Sequence, residues 1–166
     1  MTSTNARLFR KALYDACVTL FAGDTDPYTL VVRGLPSFAN AQDVVAVGAV
    51  TGSQDFATFS TSLRTREETL TCQIDFYSFR AGGAGDSAAL AEEAVEARAW
   101  EMLDAVAEYV RVTNAELKPD ADSPGIVRYC FLTDVAADAA TDPDVLAKGR
   151  MHVISATFTA MSRVRS

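Results

Sequence analysis

The chain has 166 residues, of which 49% are hydrophobic and 22% charged, and its formal net charge is −7. This length predicts a single domain over residues 1–166, because domains usually hold about 100–200 residues. The apolar fraction excludes a disordered chain. The acidic balance argues against a broad nucleic-acid-binding surface, which needs clustered Lys and Arg.

The cysteine pattern and hydropathy indicate where the protein is made. Cys17, Cys72 and Cys130 are odd in number, and each lies in an apolar pattern without CxxC spacing. This is typical of buried thiols in a reducing compartment rather than of zinc ligands. No segment approaches the roughly 20 apolar residues that cross a bilayer, so we expect assembly in a cytoplasm and no membrane partner.

The first part of the chain predicts one helix and two strands. The helix follows a cap at Ser3 or Thr4 and ends at Gly23. Strands are predicted at residues 28–33 and 43–50, and the nearly continuous Val and Ala of the second indicate a central position. The apolar face of the helix is Leu8, Phe9, Ala12, Leu13, Ala16, Cys17 and Leu20.

Residues 51–67 form an unusually long connection, with two aromatic side chains, Phe56 and Phe59, among Ser and Thr. Connections in compact domains usually have about 4–6 residues. The segment is therefore either a projecting arm or extended hairpin that contacts a partner, or a loop that packs on itself.

The strongest strand and the strongest helix follow. In residues 68–76 apolar and polar side chains alternate, which predicts a strand with one buried face. The glycines in 82–85 indicate a hinge, and a helix of about seven turns starts near Ala88. The apolar strand positions are Leu70, Cys72, Ile74 and Phe76, and those of the helix are Val95, Ala99, Met102, Leu103, Val106 and Val110.

Two further strands, 126–133 and 151–161, flank an acidic excursion at 134–149 with room for one short helix. We expect the two strands to pair in antiparallel fashion. The element order α, β, β, β, α, β, β predicts an α+β fold: a mixed, mostly antiparallel sheet of about five strands with two main helices packed on one face.

The sequence carries no catalytic pattern. His152 is the only histidine, and it lies in a strand without an accompanying nucleophile. Residues 82–85 lack a phosphate-loop motif, and the aspartates of 134–149 lack EF-hand spacing. We therefore expect no catalytic residue, no cofactor and no metal site.

A mixed-charge cluster precedes the strongest strand: Arg64, Arg66, Glu67 and Glu68. It is either a solvated strand end or a set of salt bridges across a subunit interface.

Three stretches carry a resemblance to a known family. They are Val47-Gly48-Ala49-Val50, Arg66-Glu67-Glu68-Thr69-Leu70 and Glu96-Ala97-Arg98-Ala99, the last leading a helix through Leu103, Asp104 and Val106. In this order the chain resembles, over residues 5–112, the tail terminator (minor tail or tail completion) proteins of long-tailed bacteriophages. The acidic excursion has no counterpart in that family's pattern.

The resemblance implies a structural virion protein of the tail and neck region and no enzyme. Its partners would be further copies of itself in a homohexameric ring, the tail tube protein, and a head-completion or connector protein. The ring would cap the tube and end its polymerisation, with DNA only passing through the lumen. The candidate subunit or tube interface is Phe56, Phe59, Arg64, Arg66 and Glu67.

Other functions fit the same pattern. A head–tail connector or a tail tube subunit would use similar assembly contacts. A small ligand-binding module or enzyme would use His152 and the acidic excursion. An adaptor that dimerises through a sheet edge is a further alternative.

Overall fold

The structure is a computed structural model that describes residues 4–25, 28–34, 42–56, 65–81, 86–139 and 146–165. A π-helical turn, Tyr109–Thr113, directly follows the second helix. The elements in chain order are α1 (Ala6–Leu20), β1 (Thr29–Arg33), β2 (Asp43–Phe56), β3 (Thr65–Arg80), α2 (Asp86–Glu108), β4 (Tyr129–Ala139) and β5 (Arg150–Arg165).

The strands form one five-stranded sheet in the order β1-β2-β3-β5-β4. β1 is parallel to β2, and the other neighbours are antiparallel. Helix α1 packs on the β1–β2 side and α2 on β3 and β5, and one hydrophobic core joins both helices to the sheet. The predicted α+β fold, with a mixed, mostly antiparallel sheet, is confirmed.

The predicted alternation in the central strands is confirmed. Strand β3 buries its four predicted apolar side chains completely, and β5, its neighbour, buries the matching face. The expected antiparallel pairing of the last two strands is also present, with Cys130 opposite Ala160. The buried side chains on this face of β5 are His152, Ile154, Ala156, Phe158, Ala160, Ser162 and Val164.

Helix α2 begins at Asp86 and buries the predicted face. Val95, Ala99, Met102, Leu103 and Val106 are each at most 1% exposed, as is Val110 in the π-helical turn. The helix therefore docks on the sheet through one continuous apolar stripe, as its three-and-four spacing predicts.

Helix α1 differs from its prediction in its last residue and in the side chains that it buries. It stops at Leu20, where the N–H of Phe21 donates to the carbonyl of Cys17, before the predicted end at Gly23. Leu8 is 44% exposed instead of belonging to the buried face. The core-facing side chains of α1 are Phe9, Leu13, Ala16 and Cys17.

Strands β2, β3 and β5 are longer than their sequence patterns indicate, and β3 runs from Thr65 to Arg80 instead of over residues 68–76. Strand β2 continues to Phe56, which pairs with Arg66 of β3, and β5 continues to Arg165, which pairs with Thr65. The described residues of the predicted arm therefore belong to an extended hairpin of β2 and β3. Strand β5 pairs with β3 along this hairpin and adds a third strand. Residues 57–64 lie outside the described residues.

Strand β4 is shifted along the chain relative to its prediction. Ile126 and Val127 donate their N–H groups to the carbonyl of Glu116 and stay outside the strand. The strand then runs past the predicted end at Thr133 to Ala139, although Ala and Asp have low strand propensity. The ladder to β5 holds these residues, so the acidic excursion is shorter than predicted.

Candidate interaction surfaces

The residues predicted to form an interface lie at the extended end of the β2–β3 hairpin. Phe56 ends β2 and pairs with Arg66, and Glu67 follows on β3. Phe59 and Arg64 lie outside the described residues. The structure thus brings three of the five positions together on adjacent strands, and their role in a subunit or tube contact stays a prediction.

Glu67 is engaged within its own chain. Its Oε1 atom accepts hydrogen bonds from Arg128 Nη1 at 3.2 Å and from Arg163 Nη2 at 3.1 Å, which links β3 to the start of β4 and the end of β5. Arg66 donates from Nη1 to Oε1 of Gln54 at 3.3 Å. Pairs this exposed stabilise a fold by at most about 1 kcal/mol each.

Glu68 is buried, in contrast to the solvated strand end considered above. It is 2% exposed, and its carboxylate accepts hydrogen bonds from the backbone N–H of Asn5 at 2.9 Å and from Gln54 Nε2 at 3.0 Å. The Thr4 hydroxyl also donates to it. A carboxylate at this place satisfies free amides at the start of α1 and complements the positive end of the helix dipole. Glu68 therefore anchors the first helix to the central strand.

Adjacent carboxylates provide a matched pair of substitutions. Glu68→Ala is expected to lower the free energy of unfolding by about 1–3 kcal/mol, because it removes the hydrogen bonds that a buried carboxylate accepts at the start of α1. Glu67→Ala is expected to cost less than about 1 kcal/mol, because its partners remain in water. Urea unfolding of both variants checks this, and equal losses would contradict the anchoring role of Glu68.

A buried ionic cluster lies at the opposite end of the sheet's core face. The Asp43 side chain is fully buried on β2. Its carboxylate accepts hydrogen bonds from Ser78 Oγ at 2.8 Å, Arg80 Nη1 at 2.7 Å and Arg98 Nε at 3.0 Å. The cluster therefore joins β2, β3 and α2 through one carboxylate.

Arg98 is the hub of this cluster. It donates to Asp24 and, at 3.1 Å, to the Thr29 hydroxyl, and its Nη1 lies 2.9 Å from Glu101. Burial lowers the pKa of Arg98, but the hydrogen bonds to Glu101 and Asp43 and the charge of Asp24 raise it above its ordinary value overall. The guanidinium stays charged. Its hydrogen bonds to Asp24 and Thr29 connect the start of β1 to α2.

His152 lies on the core face of β5, where it is 8% exposed. Its Cα partners are Ser78 on β3 and Ala139 on β4, and its Nε2 atom has no hydrogen-bond partner among the residues that the structure describes. Within the described ranges, no group of three or more His, Cys, Asp or Glu side chains is arranged to hold a metal ion. The interpretation of His152 as a residue on one face of a strand agrees with this placement.

The three cysteines are free and buried. Burial raises the pKa of Cys17, Cys72 and Cys130 from 9.0 to about 12. A neutral thiol is thus favoured in the folded state, and this contribution to stability is complete below pH 9 and is lost as the pH rises towards 12.

We therefore expect the thiols to be unreactive in the native protein. A chromogenic disulfide reagent at mildly alkaline pH should label them only as fast as the chain unfolds, and at once in concentrated urea, because the thiolate is the reactive form. Stability should also fall with pH between 9 and about 12. Rapid labelling of any thiol in the native protein would contradict its burial.

The face of the sheet opposite the two helices is rich in threonine. Thr51 and Thr71 lie 2.6 Å apart between their hydroxyl oxygens, and Thr133 and Thr159 lie 2.9 Å apart. At the margin of this face the rings of Tyr129 and Phe131 are exposed and stacked, with centroids 5.7 Å apart. The face is polar in its middle and aromatic at its β4 margin.

A groove of about 450 Å³ lies between α1 and the segment 114–126. Its apolar lining includes the exposed Leu8 and also Leu117 and Ile126, and Lys11 and Lys118 lie at its polar parts. This mixed lining does not select a ligand class.

Sequence comparison does not place the chain in a family: no protein-family profile matches it, and no curated protein gives a significant match. In the part of the chain that the structure describes, no helix is long and apolar enough to cross a membrane.

Proposed function

We propose that this chain is the subunit of a ring that caps the tail tube of a long-tailed bacteriophage. The ring, a homohexamer, binds the last ring of the tube, ends its polymerisation and then forms the interface to the head-completion proteins in the neck of the virion. The proposal starts from the resemblance over residues 5–112. The structural observation that supports it is the form of the subunit, a single sheet with helices on one face and with β1 and β4 as its outermost strands among the described residues.

A ring subunit needs two different surfaces, one for the neighbour on each side. The sheet offers them, since β1 and β4 are its two outermost strands. The extended end of the β2–β3 hairpin, where Phe56 pairs with Arg66 and Glu67 follows, is the third surface, which we propose for the contact with the tube.

Termination by such a ring is a matter of differential binding. One face of the ring matches the tube end, and the other face offers nothing that a further tube subunit can use. No bond is made or broken, so the function needs no catalytic residue. The net charge of −7 suits a ring around passing DNA, because like charges keep the DNA from adhering.

A tube-growth assay tests the proposal. Tail tube protein from the same particle is allowed to polymerise with and without a small proportion of the chain, and tube lengths are measured by electron microscopy. The proposal predicts shorter tubes at unchanged total tube protein. Tubes that grow by incorporating the chain along their length would identify a tube subunit instead, and unchanged lengths would contradict the proposal.

A further inference from the structure

We infer that the ring closes by contact between two complementary sides of the subunit: the acidic β4 edge of one copy binds the basic α1–β1 side of the next. This inference rests on the proposed function and names the surfaces that carry it out. The β4 edge is defined by Tyr129, Phe131, Asp134 and Asp138. The α1–β1 side is defined by Arg7, Lys11, Val18, Tyr28 and Arg33.

The β4 edge carries only part of the usual protection against pairing with another chain: it has two aspartates, and its ladder to β5 shifts register between Leu132 and Asp134. β4 is an outermost strand of 11 residues, and it contains neither Lys nor Pro, which commonly guard exposed edges. Asp134 and Asp138 are exposed, and neither forms an ion pair with another described residue. Tyr129 is 43% and Phe131 42% exposed, so the edge combines two free carboxylates with an aromatic pair.

The α1–β1 side has the opposite charge. Arg33 lies over the ring of Tyr14, with its guanidinium carbon 4.1 Å from the ring centroid, and its side chain is 46% exposed. Arg7 is exposed on the same helix, and the Lys11 side chain is 61% exposed. Asp15, which contacts Lys11 and Arg33, is the acidic residue among them.

This side also carries apolar surface. Val18, on the same helix as Arg7 and Lys11, is 42% exposed, and Tyr28, directly before the strand that ends at Arg33, is 58% exposed. Each of the two sides thus combines exposed apolar groups with a predominance of one charge, acidic on the β4 edge and basic on the α1–β1 side, where Asp15 is the exception. That combination is typical of interfaces in which apolar groups supply contact area and charges set orientation.

The geometry favours a ring over a symmetric dimer. The two sides belong to opposite edges of the sheet, four strand spacings or roughly 19 Å apart. A two-fold contact through either edge would bring like charges together, which is unfavourable. Joining opposite edges is a head-to-tail contact, which closes into a ring when the rotation between copies is a whole fraction of a turn.

Charge reversal tests this inference. Three variants are needed: Asp134→Arg with Asp138→Arg, Arg7→Glu with Arg33→Glu, and all four changes together. Ring formation is measured by sedimentation velocity and by counting capped tube ends, with tail tubes present so that rings can assemble. Glu93→Arg, on the exposed side of α2, is the control for a change of charge alone.

We expect each two-residue reversal to weaken ring formation by about tenfold or more, because it places like charges across the contact. The four-residue variant should recover most of the loss, and Glu93→Arg should form rings like the wild type. Thermal melting of each variant monitors folding, since these exposed positions should change stability little.

The outcomes separate the inference from the proposed function. Rings that persist in both two-residue variants, or a four-residue variant that is no better than either, would overturn the inference and leave the capping function standing. A wild-type chain that forms no rings with or without tubes would overturn both.

Discussion

Replacement of Asp43 by Ala is expected to lower the free energy of unfolding by about 3–5 kcal/mol, the usual cost of removing one partner from a buried ion pair. The Asp43 side chain is fully buried and accepts hydrogen bonds from Ser78, Arg80 and Arg98. Without it, two arginines keep their charge beside the core with fewer partners. Arg98 keeps Asp24 and Glu101 as acidic partners, so the penalty comes from the lost bonds to the buried carboxylate and from the charge of Arg80.

Equilibrium unfolding in urea, followed by far-ultraviolet circular dichroism, measures this effect. Asp15→Ala is the matched control, because Asp15 is also a carboxylate with two basic neighbours, Lys11 and Arg33, but its side chain is 49% exposed. The control is expected to lose less than about 1 kcal/mol. Equal losses in the two variants would show that the Asp43 cluster adds no more than a surface pair.

Replacement of Val106 by Asp is expected to abolish folding. Val106 is completely buried in the stripe that docks α2 on the sheet. The change forfeits about 1.5–3 kcal/mol of apolar burial and places an unpaired carboxylate in the core, at a further cost of several kcal/mol. Together these approach the whole stability of a typical domain, about 5–15 kcal/mol.

The matched control is Val112→Asp, the same change in the π-helical turn that follows α2, where Val112 is 62% exposed. It is expected to change the stability by no more than about 0.5 kcal/mol. Thermal melting and the soluble yield of both variants check the pair. A soluble Val106→Asp protein that melts cooperatively would contradict the docking of α2 described above.

The parts of the fold that the sequence predicts are those with a local period. Alternation in residues 68–76 and 151–161 predicts which side chains face the core, and the three-and-four spacing of α2 does the same from Val95 to Val106. Both signals come from one face meeting water and the other meeting the core. The antiparallel β4–β5 pair follows from the same reasoning and from the single excursion between them.

Features that depend on distant residues could not be predicted in this way. Asp24, Asp43, Arg80 and Arg98 meet only because β2, β3 and α2 converge, and no local pattern links them. The parallel direction of the β1–β2 pair is likewise not set by any local pattern in either strand. The extension of β4 to Ala139 depends on its ladder to β5 and overrides low strand propensity.

The burial of Glu68, in contrast, could have been predicted from the sequence. Glu68 is in phase with Leu70 and Cys72, so the alternation already places its side chain on the core face. Its charge suggested a solvated strand end, whereas the start of α1 supplies the donors that a buried carboxylate needs. Among the predicted interface residues, Arg66 and Glu67 lie at an exposed strand end where the prediction is still open.

The central claim, that the chain caps tail tubes as a ring, is tested most directly by imaging. The mass of the purified protein is measured and negative-stain images are recorded, alone and with tail tubes from the same particle. The proposal predicts six-fold rings at tube ends and nowhere along the tubes. A chain that stays monomeric and leaves the tube ends bare would contradict it.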